Sequence, residues 1–575
     1  MRLPAGTPDH RRRARRIWAP AILAFVLTAE RATAQDAFRC DGHIVSAVII
    51  GREPPALISE SAPEWSRPLL AAGLQHVTTE PTVIRSFLLL EEGGICSEFR
   101  RAESERLLRA QPFLADATVR ATPDGTGGVR IEVETADEIP LVIGARARAD
   151  RLTGFAYGSA NLLGKGAFVA AEWREGFAYR DGFAAHLVHY HATGRPIRAT
   201  AHLERSSLGG DYSVAIERPF HTTLQRTAWH AGLRDVKEYV TFQRRDQPAL
   251  SLGIERRRGD IGGVVRFGIG AGRFFGGPYL TYERLDVSRD PVIITETGLE
   301  PGDDPTLVGR YSSLESARIA GVVGVRLLRY VVVEGFDALI GSQDVGVGLQ
   351  LALIGGQGMG RDDEGPFFGA ELHGATGTNR SLIAIRATWE QQRGPDGWVD
   401  GVGSGRLAWY AKPSERGTWI VSAEAAGAHR SRRPFQLALG DARAGLRGYR
   451  DSRIVGERLA VVRAERRWVV GEVTRHLGLG AAGFADVGRT WAGSAPFGES
   501  TSARASVGVA LLAAVPAHSR RLLRLEAAVP VVRDRHARYE IRLITTTPFR
   551  TIGREPGDIA RLRSVAPPSS LFGWP

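Results

Sequence analysis

Cysteine, methionine and lysine are scarce in this sequence of 575 residues, which contains 2 Cys and 2 Met. The only lysines are Lys165, Lys237 and Lys412, so the excess of 75 Lys and Arg over 63 Asp and Glu is almost entirely arginine. Two cysteines are too few for a disulfide-rich scaffold. Beyond residue 34 there is also no uninterrupted apolar run of the ~18 residues that a membrane-spanning helix requires. The mature chain is therefore either soluble or crosses a membrane as a β-barrel.

Residues 1–34 have the pattern of a secretory signal peptide. A cluster of arginines precedes the apolar stretch Ile17–Ala29, and Ala32-Thr33-Ala34 forms a small-residue cleavage site. The stretch is too short to span ~30 Å of hydrocarbon, although an uncleaved membrane anchor is the alternative. Cleavage removes seven Arg together with Asp9 and Glu30, so the net charge of +12 falls by 5 to +7. Much of the apparent signal for a nucleic-acid partner is lost with this segment, and we expect no such partner.

Cys40 and Cys96 both follow the cleavage site. In an exported protein they can form a disulfide bond, and two unpaired thiols are the alternative. Neither has a C-x-x-C spacing that would indicate a metal site. His186, His189 and His191 alternate along a predicted strand, so His186 faces away from the other two. The sequence also lacks P-loop, H-E-x-x-H and G-x-S-x-G elements, so we expect no enzyme activity, no metal and no cofactor.

Residues 35–138 predict a compact α/β module. The second predicted helix places Phe99 and Leu107 on an apolar face. Proline in the first turn of the first helix and glycine-rich turns mark the boundaries between elements. The predicted order is strand, helix, helix, strand, strand, at His43–Ile50, Thr79–Leu89, Ser97–Ala110, Phe113–Val119 and Val129–Val133.

Residues 139–549 show repeated alternation of apolar and polar side chains. In one example, Leu523 and Leu525 alternate with Arg524 and Glu526. A soluble β-sandwich also alternates in this way. Full charges on the polar face, long polar loops and export favour a transmembrane antiparallel β-barrel with a wet interior. At ~25 residues per strand plus loop, the region predicts about 16 strands. The expected fold is thus mainly β, preceded by the small α/β module.

The module resembles a POTRA domain, the periplasmic module of the BamA/TamA outer-membrane assembly superfamily, whose bacterial surface antigen barrels are related to two-partner secretion transporters. The resemblance lies in the segments Gln75–Arg85, Glu92-Gly93, Glu103–Arg109 and Pro112-Phe113-Leu114. An unrelated periplasmic α/β domain is the alternative. Relatives commonly carry two or more POTRA domains, whereas this segment has room for one.

Two motifs in the barrel region also resemble this superfamily. Leu446, Arg447, Gly448 and Tyr449 match its [VL]-R-G-[FY] loop motif, and Phe484, Asp486 and Gly488 match its F-x-D-x-G strand motif. The resemblance implies that a loop near 440–456 folds into the lumen and that Arg447 contacts the wall at Asp486. Glu465, on the intervening strand, is a candidate third member.

Smaller resemblances are the turn Asn161–Gly166 and the strand end Glu217–Phe220. Phe549 resembles the aromatic end of a C-terminal strand that serves as an assembly signal. Unlike a typical relative, this chain continues past it with a tail at 550–575, so Phe572 or Trp574 are alternatives to Phe549.

The resemblance implies an outer-membrane protein whose POTRA domain lies in the periplasm and receives clients by β-augmentation. Its barrel would assist insertion of outer-membrane proteins or protein translocation. A dedicated two-partner secretion channel and a passive, pore-forming barrel are the alternatives. The implied partners are the lipid bilayer, unfolded outer-membrane or secreted clients, and accessory lipoproteins.

Overall fold

The computed structural model describes most of the chain after the first 37 residues. The described residues are 38–53, 78–148, 151–175, 181–268, 273–360, 362, 364–441, 445–450, 452–474, 477–532, 534–537, 539–546 and 557–563. The predicted signal peptide and Phe549 lie outside these ranges. Among the described residues, no helix has both the length and the apolar character needed to cross a membrane.

The N-terminal module has the predicted order of elements. These are β1 (Val45–Glu53), α1 (Pro81–Ser86), α2 (Glu98–Arg109), β2 (Leu114–Pro123) and β3 (Val129–Asp137). Strand β3 lies in the middle of the three-stranded sheet, parallel to β1 and antiparallel to β2. Buried aliphatic and aromatic side chains from the sheet and from both helices form one core.

Cys40 and Cys96 form a disulfide bond, with Cα atoms 5.6 Å apart. Both cysteines are buried in the core of the module. The bond joins Cys40, which precedes β1, to Cys96, which directly precedes Ser97, the N-cap of α2. It therefore constrains the module across a sequence separation of 56 residues.

Helix α1 is shorter than the sequence predicted. It ends at Ser86 rather than continuing to Leu89. The backbone N–H of Leu89 instead donates a hydrogen bond of 2.9 Å to Oγ of Ser104 in α2. A hydrogen bond from the chain after α1 to α2 thus takes the place of the last predicted helical turn.

The predicted apolar face of α2 is wrong in part, because Leu107 is buried but Phe99 is 51% exposed. The helix also buries Glu103, Arg106 and Arg109. These charged side chains face the large sheet. Their burial depends on this tertiary contact, which the helical periodicity of the sequence does not predict.

The remaining strands form one large sheet, apart from a short hairpin. Those before the long loop are β4 (Leu141–Arg148), β5 (Arg151–Ser159), β6 (Ala167–Arg174), β7 (Gly182–His189), β8 (Arg198–Ser206), β9 (Gly209–Arg218), β10 (Thr227–Phe242), β11 (Leu250–Phe267), β12 (Phe274–Val287), β13 (Val292–Ile294), β14 (Leu299–Pro301), β15 (Leu314–Glu334), β16 (Ser342–Gly358), β17 (Pro366–Gly377), β18 (Ser381–Gly394), β19 (Gly397–Ser414) and β20 (Gly417–His429). Two 3₁₀ turns lie between early strands, at Leu162–Gly164 and Ala192–Gly194.

A short hairpin follows, made of β21 (Leu437–Ala438) and β22 (Val455–Gly456). The large sheet then continues with β23 (Arg458–Thr474), β24 (Leu477–Trp491), β25 (Arg504–Ala514), β26 (Leu522–Pro530) and β27 (Glu540–Thr546), and the last described element is helix α3 (Gly557–Leu562). Successive long strands pair antiparallel, and the order is that of a barrel, with β27 the neighbour of β4. The described part of this sheet contains more strands than the sixteen or so expected. The reason is the shortness of many turns: β8 ends at Ser206 and β9 begins at Gly209, for example.

The two faces of the sheet have opposite character. On β26, Leu523 and Leu525 are exposed, whereas Arg524 and Glu526, which alternate with them, are buried. A soluble protein would bury the apolar face. Here the sheet exposes its apolar face and encloses its charged face, the inner face.

Candidate functional site: an inward loop bound to the wall

The described residues of the loop between β20 and β23, at 430–441, 445–450 and 452–457, lie against the inner face of the sheet. Hairpin β21–β22 gives it a compact form, and its apolar side chains pack in one buried cluster with residues of the wall. Gly440 is required for this packing, because a Cβ at that position would lie 1.9 Å from the carbonyl oxygen of Tyr449. The described residues of the segment expected to fold inward, near 440–456, therefore lie inside the sheet.

The tip of the loop is a β-turn over Leu446, Arg447, Gly448 and Tyr449. The N–H of Tyr449 donates to the Leu446 carbonyl at 3.2 Å, and Gly448 has φ +81°, which favours glycine at the third position of such a turn. The N–H of Gly448 donates to Oε2 of Glu540 on β27 at 2.8 Å. The side-chain hydroxyl of buried Tyr449 lies 2.6 Å from the carbonyl oxygen of Val532. The turn is thus held by the last strands of the sheet.

Arg447 binds Asp486 on β24 through two hydrogen bonds. Its Nε donates to Oδ2 at 2.6 Å and its Nη2 to Oδ1 at 2.5 Å. The guanidinium also lies over the ring of Phe484, with Cζ 3.5 Å from the ring centroid. Gly508 leaves room for that ring, since a Cβ there would lie 2.3 Å from Cζ of Phe484. The motif residues therefore surround one guanidinium.

Two further carboxylates face the same guanidinium. Oε2 of Glu465 and Oε2 of Glu526 each lie 3.5 Å from Nη1 of Arg447. Arg524 binds Glu465 through two hydrogen bonds of 2.8 Å and donates to Glu526 at 2.7 Å. Arg467 donates to Glu465 at 2.7 Å. Glu465 is thus part of the cluster, and so are Glu526 and Arg524, which the sequence marked only as the polar residues of an alternating strand.

The cluster compensates the cost of burying its charges. Asp486 has no exposed surface, and Arg447 and Glu465 are each 8% exposed. A buried ion pair is favourable only when its geometry is good and its hydrogen bonds are satisfied. Burial lowers the pKa of Arg447, but its hydrogen bonds to Asp486 and the negative charges of Asp486 and Glu465 together outweigh burial, so the pKa is raised overall. The arginine therefore stays charged inside the sheet.

Gly488 contributes space rather than a contact with Arg447. A Cβ at Gly488 would lie 3.1 Å from the carbonyl oxygen of Ala460 and 3.5 Å from Cδ1 of Leu439 in the loop. The small residue lets the loop approach β24 closely.

A second arginine of the loop binds another part of the wall. Arg433 donates to Glu283 on β12, with Nη2 2.8 Å from Oε2, and its Nη1 lies 3.1 Å from Oδ2 of Asp400 on β19. Glu283 has no exposed surface, and it also accepts a contact of 2.7 Å from Arg256 on β11. The loop therefore connects β12 and β24, which are separated by many strands in the sheet order. Sequence reasoning missed Arg433 and Glu283, since no local pattern marks them.

The N-terminal module binds the rim of the sheet through α2. Arg109 forms a two-point contact with Asp344 on β16, both distances being 2.8 Å. The guanidinium of Arg106 lies 3.9 Å from the centroid of the Tyr330 ring on β15. The backbone N–H of Thr223 donates to Glu103 at 3.3 Å. The charged side chains that α2 buries are therefore its contacts with the sheet.

The pKa values of groups at this contact reflect their burial. For Glu103, burial raises the carboxyl pKa, but the hydrogen bond and charge of Arg106 outweigh it and the pKa is lowered overall. Burial lowers the pKa of His221 to about 4, and the nearby charge of Arg198 adds to this effect. At neutral pH the contact therefore holds an ionised Glu103 and an uncharged His221.

The turn Asn161–Gly166 also connects the module to the sheet. The side-chain amide of Asn161 donates to Oγ1 of Thr79 at 2.8 Å, and Thr79 in turn donates to Asp137 on β3 at 2.7 Å. The side-chain oxygen Oδ1 of Asn161 accepts a hydrogen bond of 2.8 Å from the backbone N–H of Gly166. This motif thus positions the start of α1 against the sheet.

Comparison with known proteins finds solved outer-membrane structures. BamA from Haemophilus ducreyi, lacking POTRA domains 1–3, is 12% identical over 87% of this chain and 84% of that chain, with a TM-score of 0.36. CdiB from Escherichia coli is 11% identical over 90% of this chain and 92% of that chain, with a TM-score of 0.44. The alcaligin outer-membrane receptor FauA from Bordetella pertussis is 12% identical over 75% and 69%, with a TM-score of 0.30.

The chain is thus similar to solved structures of BamA and CdiB, the kind of protein that its motifs resemble. No protein-family model and no curated protein matches it.

The histidines singled out in the sequence lie in two places. The rings of His189 and His191 are 4.9 Å apart, whereas His186 packs against His202 and Phe168. Within the described ranges, no group of three His, Cys, Asp or Glu residues is arranged to hold a metal ion.

Proposed function

We propose that this chain is an outer-membrane β-barrel protein that assists the insertion of outer-membrane proteins or the passage of proteins. Its module would lie in the periplasm and act as a POTRA domain. The observation that carries the proposal is the inward loop, bound to opposite parts of a charged inner wall by Arg433 and Arg447. A loop held at both ends inside a channel can control what passes through it.

The exposed face of the sheet supports a position in a bilayer. On β25, Val507, Val509 and Leu511 are exposed in alternate positions. Lipid solvates such side chains, whereas every backbone polar group must be paired within the sheet. Closure of the sheet between β27 and β4, which are neighbours in its order, would satisfy this requirement.

The exposed apolar side chains form a band around the sheet, and this band ends at charged pairs on β10 and β11. Leu233 and Ile261 belong to the band. Further along the same face of β10 and β11, Asp235 pairs in register with Arg257, and Lys237 with Glu255. The Arg257 side chain is 65% exposed. We assign these pairs to the headgroup region, where charge is tolerated.

The module supports a role in handling other proteins. Its sheet has the order β1-β3-β2, so β1 and β2 are edge strands within the described residues. An extended client segment can add to such an edge by main-chain hydrogen bonds. Since α2 binds β15 and β16, a client at the module would lie close to the sheet.

Depletion of the protein in its host cell tests the proposal. We expect several unrelated outer-membrane barrels to fall in abundance and lose their heat-modifiable, folded form, as measured by quantitative proteomics and gel mobility. Wild-type protein and an Arg257→Ala control should restore them, because Arg257 lies on the outer rim, whereas Arg447→Ala should restore them only in part.

The same measurement separates the alternatives. Loss of one exported protein alone would favour a dedicated two-partner secretion channel. Unchanged outer-membrane and secreted proteomes would contradict the proposal and leave a passive pore. Co-purification of lipoproteins with the wild-type protein would identify accessory partners.

A further inference from the structure

Residues 557–563, near the C-terminus, lie inside the sheet. Helix α3 presents Ile559 and Leu562, three positions apart, on one face, and these side chains are 0% and 2% exposed. Both belong to the buried cluster formed by the inward loop and the wall, which includes Tyr449 and Val402. The apolar face of the helix is therefore covered by the loop and by β19.

Arginines of another part of the wall bind the end of this helix. On β11, Arg256 donates to the carbonyl oxygens of Arg561 and Arg563, the latter at 2.8 Å, and Arg258 donates to that of Arg563 at 3.2 Å. The last carbonyls of a helix have no partner within it and carry partial negative charge. Two guanidinium groups therefore complement this helix end.

The segment bridges the interior. Strands β11 and β19 are separated in the sheet order by β12 and by β15 to β18. The segment contacts β19 through its apolar face and β11 through arginine side chains, so it lies in the space between these two parts of the wall. Arg256 also binds Glu283, the carboxylate that holds Arg433 of the loop. The tail and the loop thus share one charged group.

We propose that β11, β19 and the inward loop form a binding site for a short peptide, that the occupant is this chain's own segment 557–563, and that its occupancy narrows the channel. The required peptide has two apolar side chains three residues apart and a helix end whose carbonyls face Arg256 and Arg258. This inference goes beyond the proposed function and requires only that the sheet encloses a channel.

The contact has the features of a reversible one. An isolated helix of one or two turns is not stable in water, so the segment is ordered only while it is bound. Burial raises the pKa of the Asp558 carboxyl, Arg561 opposes this rise, and Asp441 and Glu238 add to it. The ionised Asp558 carboxylate therefore weakens the contact between α3 and the wall, in which only Ile559 and Leu562 of the helix contribute apolar groups.

Cysteine labelling of the full-length protein tests the docking. Leu562→Cys should react with a maleimide at least about tenfold more slowly than Ala560→Cys, because position 562 is buried and position 560, on the same helix, is exposed. Adding Arg256→Ala to Leu562→Cys should accelerate its reaction. Equal rates at positions 560 and 562 would overturn the proposal.

Conductance of the full-length protein in planar bilayers tests the channel. Ile559→Asp should raise single-channel conductance several-fold, whereas Ala560→Asp, an equal change at an exposed position, should leave it at the wild-type value. A synthetic peptide with the sequence of residues 555–565 should lower the conductance of Ile559→Asp, and the same peptide with Asp at both apolar positions should not. Wild-type conductance in Ile559→Asp would overturn the claim that the segment narrows the channel. Failure of these tests would leave the depletion result unaffected, so the two proposals can fail independently.

Discussion

The side chain of Arg447 makes different kinds of contact at one point of the wall. Two hydrogen bonds join it to Asp486, its planar face covers Phe484, and the carboxylates of Glu465 and Glu526 lie at 3.5 Å. A guanidinium can make all of these contacts at once because it is planar and has donors on several edges. Neither an ammonium nor an amide could replace it fully.

Replacing Arg447 should therefore release the loop without preventing assembly of the sheet. Arg447→Ala leaves Asp486 buried without its two-point partner, and we expect a loss of about 3–5 kcal/mol in unfolding free energy. The change should appear as a lower thermal unfolding temperature and as larger, noisier conductance in bilayers.

Arg447→Lys serves as the matched control. It keeps the charge but loses the two-point geometry and the stacking on Phe484, so we expect an intermediate effect. Wild-type stability and conductance in Arg447→Ala would contradict the role given to this arginine.

At the scale of an element, helix α2 shows how a tertiary contact changes what a helix buries. Its buried side chains include Glu103, Arg106 and Arg109, which contact the large sheet, whereas Phe99 is exposed. Helical periodicity predicts burial of apolar residues only. The charged face of α2 became a contact surface because β15 and β16 present Tyr330 and Asp344 to it.

A double-mutant cycle on Arg109 and Asp344 should measure this contact. We expect a coupling free energy of about 2 kcal/mol, since a largely buried two-point pair is a strong charged hydrogen bond. The readout is urea unfolding of the module within the full-length protein in detergent. Arg120 and Glu134, an exposed pair 3.7 Å apart in the same module, provide the control and should couple by less than about 1 kcal/mol. Equal coupling in the two cycles would mean that Arg109 does not hold the module to the sheet.

The whole molecule places charge inside and apolar side chains outside. Glu283, Asp486 and Glu526 are almost fully buried, whereas Val509 on β25 is 65% exposed. In water this arrangement would cost free energy at both faces. In a bilayer the outer face is solvated by lipid, and water and paired charges fill the interior.

A charge on the outer face should therefore destabilise the protein in lipid. We expect Val509→Arg to lower the folding free energy in phospholipid vesicles by about 2–4 kcal/mol, because position 509 lies in the middle of β25. Val531→Arg, the same change at an exposed residue just beyond the end of β26, should cost about 0–1 kcal/mol. Urea titration followed by tryptophan fluorescence measures both. Equal effects at the two positions would contradict the assignment of this face to lipid.

Local patterns in the sequence allowed much of the architecture to be predicted. The order of elements in the module and the alternation of Leu523 and Leu525 with Arg524 and Glu526 depend on residues that repeat over short distances, whereas the pairing of Arg447 with Asp486 is implied by the resemblance of their motifs to a known family. Such patterns predict the faces of a strand correctly because successive side chains point to opposite faces whatever the neighbouring strands are.

The sequence by itself thus determined the strands and their two faces, because both depend on near neighbours in the chain, and the inward loop was implied only by the resemblance of its motif to a known family. Only the tertiary structure decided the pairing order of the strands in the described sheet, the charged contact face of α2, the binding of Arg433 to Glu283 across 150 residues, and the position of α3 in the interior. These features depend on which distant strands face each other across the enclosed space. That arrangement follows from register and from the order of the whole sheet, which no local period specifies.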